Sequence, residues 1–257
     1  MKLSHRISKN LDKFLRQAER KIQTLQGKGF QGGVIKEFSH VIPLLNSLEK
    51  RDISVLDIGA HHGEYSLEIL VNFPRSKIWA FEPSAESIRA LSENLPRINK
   101  FNFALGSRIQ RGELYANERG STESSLFQRI TDKGNGLEEF TEYTSIAINT
   151  LDGWNIEKRR FDFAKIDAEG SELDILIGGK ETISKIPIIQ FEFGGSNIDS
   201  RTYFRDLWIF FSELDFKVLR MSRSGLKVIE KYRDLDEVFR TTNYLAVSEK
   251  IFNDRYS

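Results

Sequence analysis

The chain has 257 residues, 38 basic and 37 acidic, for a net charge of +1, with 39% hydrophobic residues and no cysteine. This is enough chain for one α/β domain with some elaboration. The charge balance argues against dedicated nucleic-acid binding. Without cysteine there is no disulfide framework, zinc ribbon, iron–sulfur cluster or thiol nucleophile. No run approaches the roughly 20 apolar residues of a membrane span, and MKLSHRISKN lacks the apolar stretch of a secretory signal. A cytoplasmic location is the expectation, with peripheral contact at the inner membrane face as its variant.

Residues 2–25 predict one amphipathic helix, followed by a break at Gly27, Gly29, Gly32 and Gly33. Residues 34–50 predict a second helix with a bend near Pro43. Residues 1–50 are thus expected to form an N-terminal helical extension to a domain spanning 51–257. SVLDIG (54–59) and KIWAFEP (77–83) are short apolar runs and read as buried strands with a helix between them. SAESIRALSENL (84–95) carries Ile88, Leu91 and Leu95 at helical spacing, with Ser84 as N-cap and Pro96 as stop. FNFALG (101–106) reads as a third strand. GELYAN (112–117) and TSIAINTL (144–151) predict a hairpin-like insertion around the polar, loop-like stretch 118–142. FDFAKID (161–167) and IPIIQFEF (186–193) read as the fourth and fifth strands, with a helix bearing Leu173, Leu176 and Ile177 between them. Phe204, Leu207, Trp208 and Phe211 mark a further helix, and FKVLRMS (216–222) and NYLAVSEK (243–250) two last strands. This alternation means a mostly parallel sheet covered on both faces.

Ligands of such a sheet bind outside the carboxyl ends of its strands. The first strand ends in Asp57, Gly59, Ala60, His61, His62 and Gly63, the second in Glu82 and Pro83, the third in Asn102, Ala104 and Gly106. The fourth ends in Asp167 and Glu169, the fifth in Glu192. Gly59 and Gly63 allow a tight turn and close approach of a ligand. Their spacing is not G-x-G-x-x-G, because His61 takes the place of the second glycine, so the loop suits a pyrophosphate poorly. No phosphate-binding G-x-x-x-x-G-K-[ST] is present either. Glu82 is placed to accept both ribose hydroxyls and would repel a 2′-phosphate. A nucleoside without phosphates fits: ribose on Glu82, an ammonium group near Asp57, adenine near the third strand. S-adenosylmethionine (SAM) has these parts. The expected cofactor-binding residues are therefore Asp57, Gly59, His61, Gly63, Glu82, Asn102 and Ala104. The alternative for the glycines is an ordinary strand-to-helix turn, and His61 and His62 also read as exposed loop histidines. Asp234-Leu235-Asp236 resembles the D-x-D of glycosyltransferases but reads as a solvated face.

These pieces resemble the FkbM family of SAM-dependent methyltransferases. The resemblance covers about residues 54–195, through VLDIGAHHGEYS (55–66), AFEPSAESIRALSENL (80–95), NFALGS (102–107), SSLF (124–127), INTLD (148–152) and FAKIDAEGSELDILIGG (163–179). The chain departs from the family where His61 follows Gly-Ala, a position that is often Asn. The resemblance implies a class I methyltransferase fold, Rossmann-like, with a seven-stranded mostly parallel sheet whose last strand is antiparallel. It also implies methyl transfer to oxygen, commonly on a sugar, glycan or polyketide hydroxyl.

An alcohol attacks only once its proton is removed, by a base within hydrogen-bond reach or through a divalent cation that lowers its pKa. Asp167, Glu169 and Glu192 lie at the correct sheet edge for either role. Asp167 and Glu192 end adjacent strands in this reading and are the candidate ligands of a shared cation. Glu169 and Glu172 also read as residues that fix the loop and cap the next helix. Lys165 is expected to point toward the sheet interior and neutralise a carboxylate. Two rival readings are a nucleotide-sugar-modifying or NAD-linked enzyme on a similar sheet, and a non-catalytic binding module. The expected partner is a small-molecule or glycan acceptor, not nucleic acid.

Residues 1–36 hold nine basic and two acidic residues, +7, which leaves −6 for the rest. On the first helix Lys2, Arg6, Lys9, Lys13, Arg16 and Arg20 share one face, and Leu3, Ile7, Leu11, Phe14, Leu15, Ala18, Ile22 and Leu25 the opposite one. That apolar face is expected to lie on the catalytic domain or on a second subunit in a homodimer. The other reading is peripheral contact with an anionic membrane.

Overall fold

The computed structural model describes the backbone of residues 2–30, 32–117, 124–132 and 136–256, and their side chains except those of residues 2–13, 132 and 256. In chain order the elements are α1 (Lys2–Leu25), α2 (Val34–Asn46), β1 (Ser54–Ile58), α3 (Glu64–Asn72), β2 (Lys77–Phe81), α4 (Ala85–Asn94), β3 (Asn99–Phe101) and β4 (Ala104–Leu105). The middle of the chain forms β5 (Gln110–Ala116), β6 (Ile130–Asp132), β7 (Leu137–Glu139), β8 (Glu142–Asn149), α5 (Leu151–Trp154) and β9 (Phe163–Ile166). The last third forms α6 (Glu172–Gly178), α7 (Lys180–Ile183), β10 (Ile188–Phe193), α8 (Ser196–Ser200), α9 (Phe204–Ser212), β11 (Phe216–Ser222), β12 (Gly225–Val228), β13 (Thr242–Ser248) and α10 (Glu249–Tyr256).

The principal sheet has eight strands in the order β12-β11-β13-β10-β9-β1-β2-β3. Strands β10, β9, β1, β2 and β3 are mutually parallel, and β13 runs antiparallel to both β10 and β11. This is the class I methyltransferase arrangement, with the strand count corrected from seven to eight. The additional strand β12 folds back on β11 through an antiparallel hairpin closed by Gly225, whose φ of +114° favours glycine. Strands β9 and β10 are buried along their whole length, as strands covered on both faces must be.

Two other expectations are corrected. FNFALG is not one strand: Asn99–Phe101 pairs with β2 at the edge of the principal sheet, whereas Ala104–Leu105 pairs with β8 in a separate sheet ordered β4-β8-β5. The Asn102 amide donates to the carbonyls of Glu82 and Pro83 at 2.9 and 3.0 Å, which fixes the chain where it leaves the principal sheet. SEK after the last strand is not wholly strand either, since Glu249 begins α10. The insertion is a real antiparallel pair of β5 and β8. The stretch 118–142 is described in part: 118–123 and 133–135 lie outside the described residues, and β6 and β7 pair within it.

Helix α2, although part of the expected 1–50 extension, contributes Phe38, Val41, Leu44 and Leu45 to the same core as Val55, Ile69 and Ile78. Helix α1 behaves differently. Its end is tied to the domain, with Arg240 Nη1 donating to Gln23 Oε1 at 3.1 Å and Lys227 Nζ to the Leu25 carbonyl at 3.1 Å. Its described apolar side chains Phe14, Leu15, Ile22 and Leu25 nevertheless stay exposed. The expected docking of this face on the chain's own domain is therefore not found for these residues. The side chains of Leu3, Ile7 and Leu11, and of Lys2, Arg6, Lys9 and Lys13, lie outside the described ones. Asp236 is no solvated-face residue: it pairs with Arg220 Nη2 at 2.7 Å, while Leu235 is exposed.

Candidate active site

A cleft of about 260 Å³ opens at the carboxyl ends of β1, β2 and β9, lined among others by Gly59, Ala60, His61, Glu82, Ala104 and Asp167. Its floor is set by Gly59, which has φ +78°; a Cβ there would lie 1.8 Å from the carbonyl oxygen of Asp167. The turn that follows is left-handed at His61 and Gly63 as well. A Cβ on Gly63 would meet first the ends of the Leu91 and Leu95 side chains, at 2.5 and 2.9 Å.

Glu82 is buried, yet its carboxylate reaches the cleft. Oε2 accepts from the backbone N–H of His61 at 2.9 Å and Oε1 from that of Ser84 at 2.8 Å. Burial raises its pKa, against the two backbone donors. Two fixed hydrogen bonds orient the carboxylate and leave it lone pairs for a ligand's hydroxyls. His61 thus serves through its backbone. Its ring stacks on His62 with centroids 3.6 Å apart, and burial, then His62, lowers its pKa.

Asp57 is fully buried and lies beneath the cleft, not among its lining residues. Its Oδ2 accepts from Ser66 Oγ at 2.6 Å, while Oδ1 has no hydrogen-bond partner among the described residues. Burial raises the pKa of Asp57, and Lys165 and Ser66 oppose that. Lys165 behaves as its sequence position suggests. It is buried, 3.2 Å from Asp167 Oδ2 and 5.2 Å from the centre of the Tyr65 ring. Burial works against its charge, but Asp167, Asp57 and Glu192 outweigh it and hold its pKa above the ordinary lysine value. Asn102 lines a neighbouring groove with Ser84, Glu86 and Tyr143 and spends its amide on backbone carbonyls.

The sheet brings the three candidate catalytic carboxylates together: one oxygen each of Asp167, Glu169 and Glu192 lies within 4.8 Å of the others. Asp167 and Glu169 line the cleft; Glu192 lies behind them, buried. Burial, then Asp167 and Glu169, pushes the Glu192 pKa well up. Glu169 is held by Arg129, whose Nη1 lies 2.7 Å from its Oε2 and whose guanidinium sits 5.4 Å from the centre of the Phe140 ring. The sequence did not point to Arg129, because the insertion delivers it across 40 residues.

Glu172 fixes the loop, as one of its two readings expected. It accepts from the backbone N–H groups of Ala168 and Gly170 and from the Asn197 amide. Burial pushes its pKa up to about 7. A carboxyl whose folded pKa lies above its unfolded value keeps its full contribution below about pH 4.5 and loses it as pH rises toward 7. This costs on the order of 3 kcal/mol for such a shift. Melting temperatures measured from pH 5 to pH 8 should fall in the wild type, and Glu172→Gln should flatten that slope; parallel profiles would contradict the assignment.

Glu37 and Tyr65 also line the cleft and were not foreseen as site residues. The Tyr65 hydroxyl bonds Gln190 Oε1, which anchors the ring against β10. Helix α2 carries Glu37, and nothing in its local sequence marks it.

The family model of the methyltransferase FkbM domain matches residues 57–218. The 2-O-methyltransferase NoeI of Sinorhizobium fredii is 28% identical over 167 residues, 60% of this chain and 69% of that protein. The AMB antimetabolite synthetase AmbE of Pseudomonas aeruginosa is 26% identical over 162 residues, 49% of this chain but 8% of that protein. Among solved structures, a TehB-like SAM-dependent methyltransferase from Corynebacterium glutamicum is similar with a TM-score of 0.45 and 8% identity, covering 91% of this chain and 97% of that one. The precorrin-6y C5,15-methyltransferase of Geobacter metallireducens gives 0.43 and 11%, covering 80% and 86%.

Proposed function

Because this chain belongs to the family of FkbM-domain methyltransferases, we propose that it methylates a hydroxyl of a sugar, glycan or related small natural product, with SAM as donor. The relative NoeI is a 2-O-methyltransferase by name, which favours an oxygen acceptor. The structural observation that carries the reading is Glu82, buried at the end of β2 and held by two backbone N–H groups with its carboxylate toward the cleft. That is an arrangement for a pair of ribose hydroxyls. Gly59 packs against the Asp167 carbonyl and lines the cleft of about 260 Å³ over the strand ends, where an adenosyl group would lie.

When bound, SAM supplies a methyl group on a positively charged sulfur. The chain's own task is to align the acceptor oxygen and take its proton, and alignment alone is worth up to about 7–11 kcal/mol. Asp167 is the candidate base: it lines the cleft, is partly exposed, and Lys165 fixes its Oδ2. Glu169 positions the rim through Arg129, and Glu192 lies behind as a buried acid. The trio has the donor set for a divalent cation, yet Lys165 and Arg129 already balance two of its three members. This favours base catalysis over the cation suggested for Asp167 and Glu192. The test is release of S-adenosylhomocysteine with a panel of sugar and oligosaccharide alcohols. Asp167→Asn should lower turnover by about 10²–10⁴-fold, the range of general-base catalysis, with SAM affinity changed only a few-fold. Full activity in Asp167→Asn would remove it as base, and activity lost in EDTA and restored by magnesium would establish the cation instead.

Helix α1 is read as a dimerisation element. Leu3, Ile7, Leu11, Phe14, Ala18, Ile22 and Leu25 follow an eleven-residue repeat, the pattern of helices paired in a right-handed supercoil. By helical spacing the basic residues fall opposite this stripe, which leaves them in water when two stripes meet. No helix among the described residues is long and apolar enough to cross a membrane. Light scattering should give a dimer for the full chain and a monomer for a chain shortened to begin at residue 30. A monomeric full chain that co-sediments with anionic vesicles would support the membrane instead.

A further inference from the structure

The sheet order β9-β1-β2-β3 lays out the cleft as a sequence of chemistries. Phe103 and Ala104 follow β3, Glu82 follows β2, and Lys165 and Asp167 mark the β9 end. Three steps of about 4.8 Å between neighbouring strands span the distance from an apolar end, through a hydroxyl-binding carboxylate, to a charged end. A nucleoside bearing an amino-acid tail, set with its ribose on Glu82, therefore brings its tail to β9. The tail carries one ammonium and one carboxylate.

Asp57, the carboxylate its sequence position recommends for the ammonium, lies below the cleft with one oxygen engaged by Ser66. Besides Glu82, three further carboxylates line the cleft with Asp167 and Lys165: Glu169, which is paired with Arg129, Glu64, which faces His61, and Glu37, from a different part of the chain and, among the described residues, without a cationic side chain in ion-pair contact. Its place is fixed by its neighbour: Phe38 is fully buried and packs edge-on against Tyr65, with ring centroids 5.5 Å apart, while Tyr65 is also a cleft residue. Glu37 feels the charges of both Asp167 and Lys165. Asp167, the candidate base, has one oxygen paired with Lys165 at 3.2 Å and is needed for the acceptor's proton rather than for the ammonium.

We infer that Glu37 receives the α-ammonium group of the methyl donor, so that helix α2 closes the amino-acid end of the cofactor site. The acidic group and Lys165 together present the two signs that an amino-acid zwitterion needs. Helix α2 is then part of the binding domain and not an appendage, in line with its packing into the core. The inference rests on the reading that this cleft holds SAM.

Glu37 has a structural task as well, since it accepts a hydrogen bond from the Gly32 backbone. The test must separate the two. Calorimetry on the full chain compares wild type and Glu37→Gln with S-adenosylhomocysteine, which keeps the amino-acid tail, and 5′-methylthioadenosine, which lacks it. Glu37→Gln should weaken S-adenosylhomocysteine about tenfold or more, the value of one hydrogen bond to a charged group. It should leave 5′-methylthioadenosine within about twofold and the apo melting temperature near that of the wild type. Unchanged affinity for S-adenosylhomocysteine, or an equal loss for both ligands, would overturn the inference. A wild-type protein that binds neither ligand would instead overturn the cofactor reading on which it rests.

Discussion

Gly59→Ala is expected to abolish measurable SAM binding, an affinity loss of a hundredfold or more, and to lower the melting temperature. Two costs combine. The backbone sits at φ +78°, a region that costs an L-residue about 1–2 kcal/mol by itself. The larger cost is the new Cβ, 1.8 Å from the carbonyl oxygen of Asp167. A backbone oxygen at the end of a strand buried on both faces cannot swing aside, so the loop must move instead. It would carry the His61 N–H away from Glu82 and shift the cleft floor. Gly63→Ala is the informative comparison. Its φ is also positive, at +94°, but its Cβ meets Leu91 Cδ1 at 2.5 Å, the far end of a flexible side chain. That variant should keep SAM binding within about tenfold, the effect of roughly 1.4 kcal/mol. Calorimetry and thermal melts on the two variants check the contrast, and equal behaviour would contradict it.

Lys165→Met should destabilise the fold by about 3–5 kcal/mol at pH 8, the cost of breaking a buried ion pair by removing one partner. The lysine is the cation that opposes the burial of Asp57 and Glu192, and it balances Asp167. Without it the buried carboxyls are driven further toward their protonated forms. Groups whose folded pKa is raised lose stability as pH climbs above their unfolded values near 4. The deficit of the variant should therefore be largest at pH 8 and shrink as pH falls toward 5.5. Urea denaturation at the two pH values measures it. A deficit below about 1 kcal/mol, the value of an exposed pair, or one that grows on acidification, would show that Lys165 is not the counter-ion of this cluster.

The expected site residues that the structure places at the cleft owe their positions first to local geometry. Gly59 and Gly63 are placed by the strand-to-helix turn, and Glu82 by the end of the next strand and the N-cap Ser84, which accepts from the Ser87 N–H. Each position is set by its own strand end and turn, although the contacts that fix it, the His61 N–H on Glu82 and the Asp167 carbonyl at Gly59, come from neighbouring strand ends. Asp167 and Glu192 were brought together correctly because parallel strands β9 and β10 pair in register. What stayed illegible is set by long-range packing. Glu37 reaches the cleft because Phe38 seats α2 on α3, and Arg129 reaches Glu169 because the insertion folds over β9. The same limit explains Asn102 and Asp57, whose strand-end positions were right but whose side chains are spent on the Glu82 and Pro83 carbonyls and on Ser66. The split of FNFALG follows from that turn at Asn102, where one apolar run serves two sheets. Strand β12 escaped notice because four residues with one charged position carry too little alternation to register.

The central claim is that the cleft over β1, β2 and β9 holds SAM with its ribose on Glu82. Titrating SAM into wild-type protein and Glu82→Ala by calorimetry tests it most directly. Saturable binding to the wild type is expected, with a loss of about 1.5–3 kcal/mol in the variant, the value of hydrogen bonds to a charged group. Equal affinity in the two proteins, or no binding of SAM to the wild type, would contradict it.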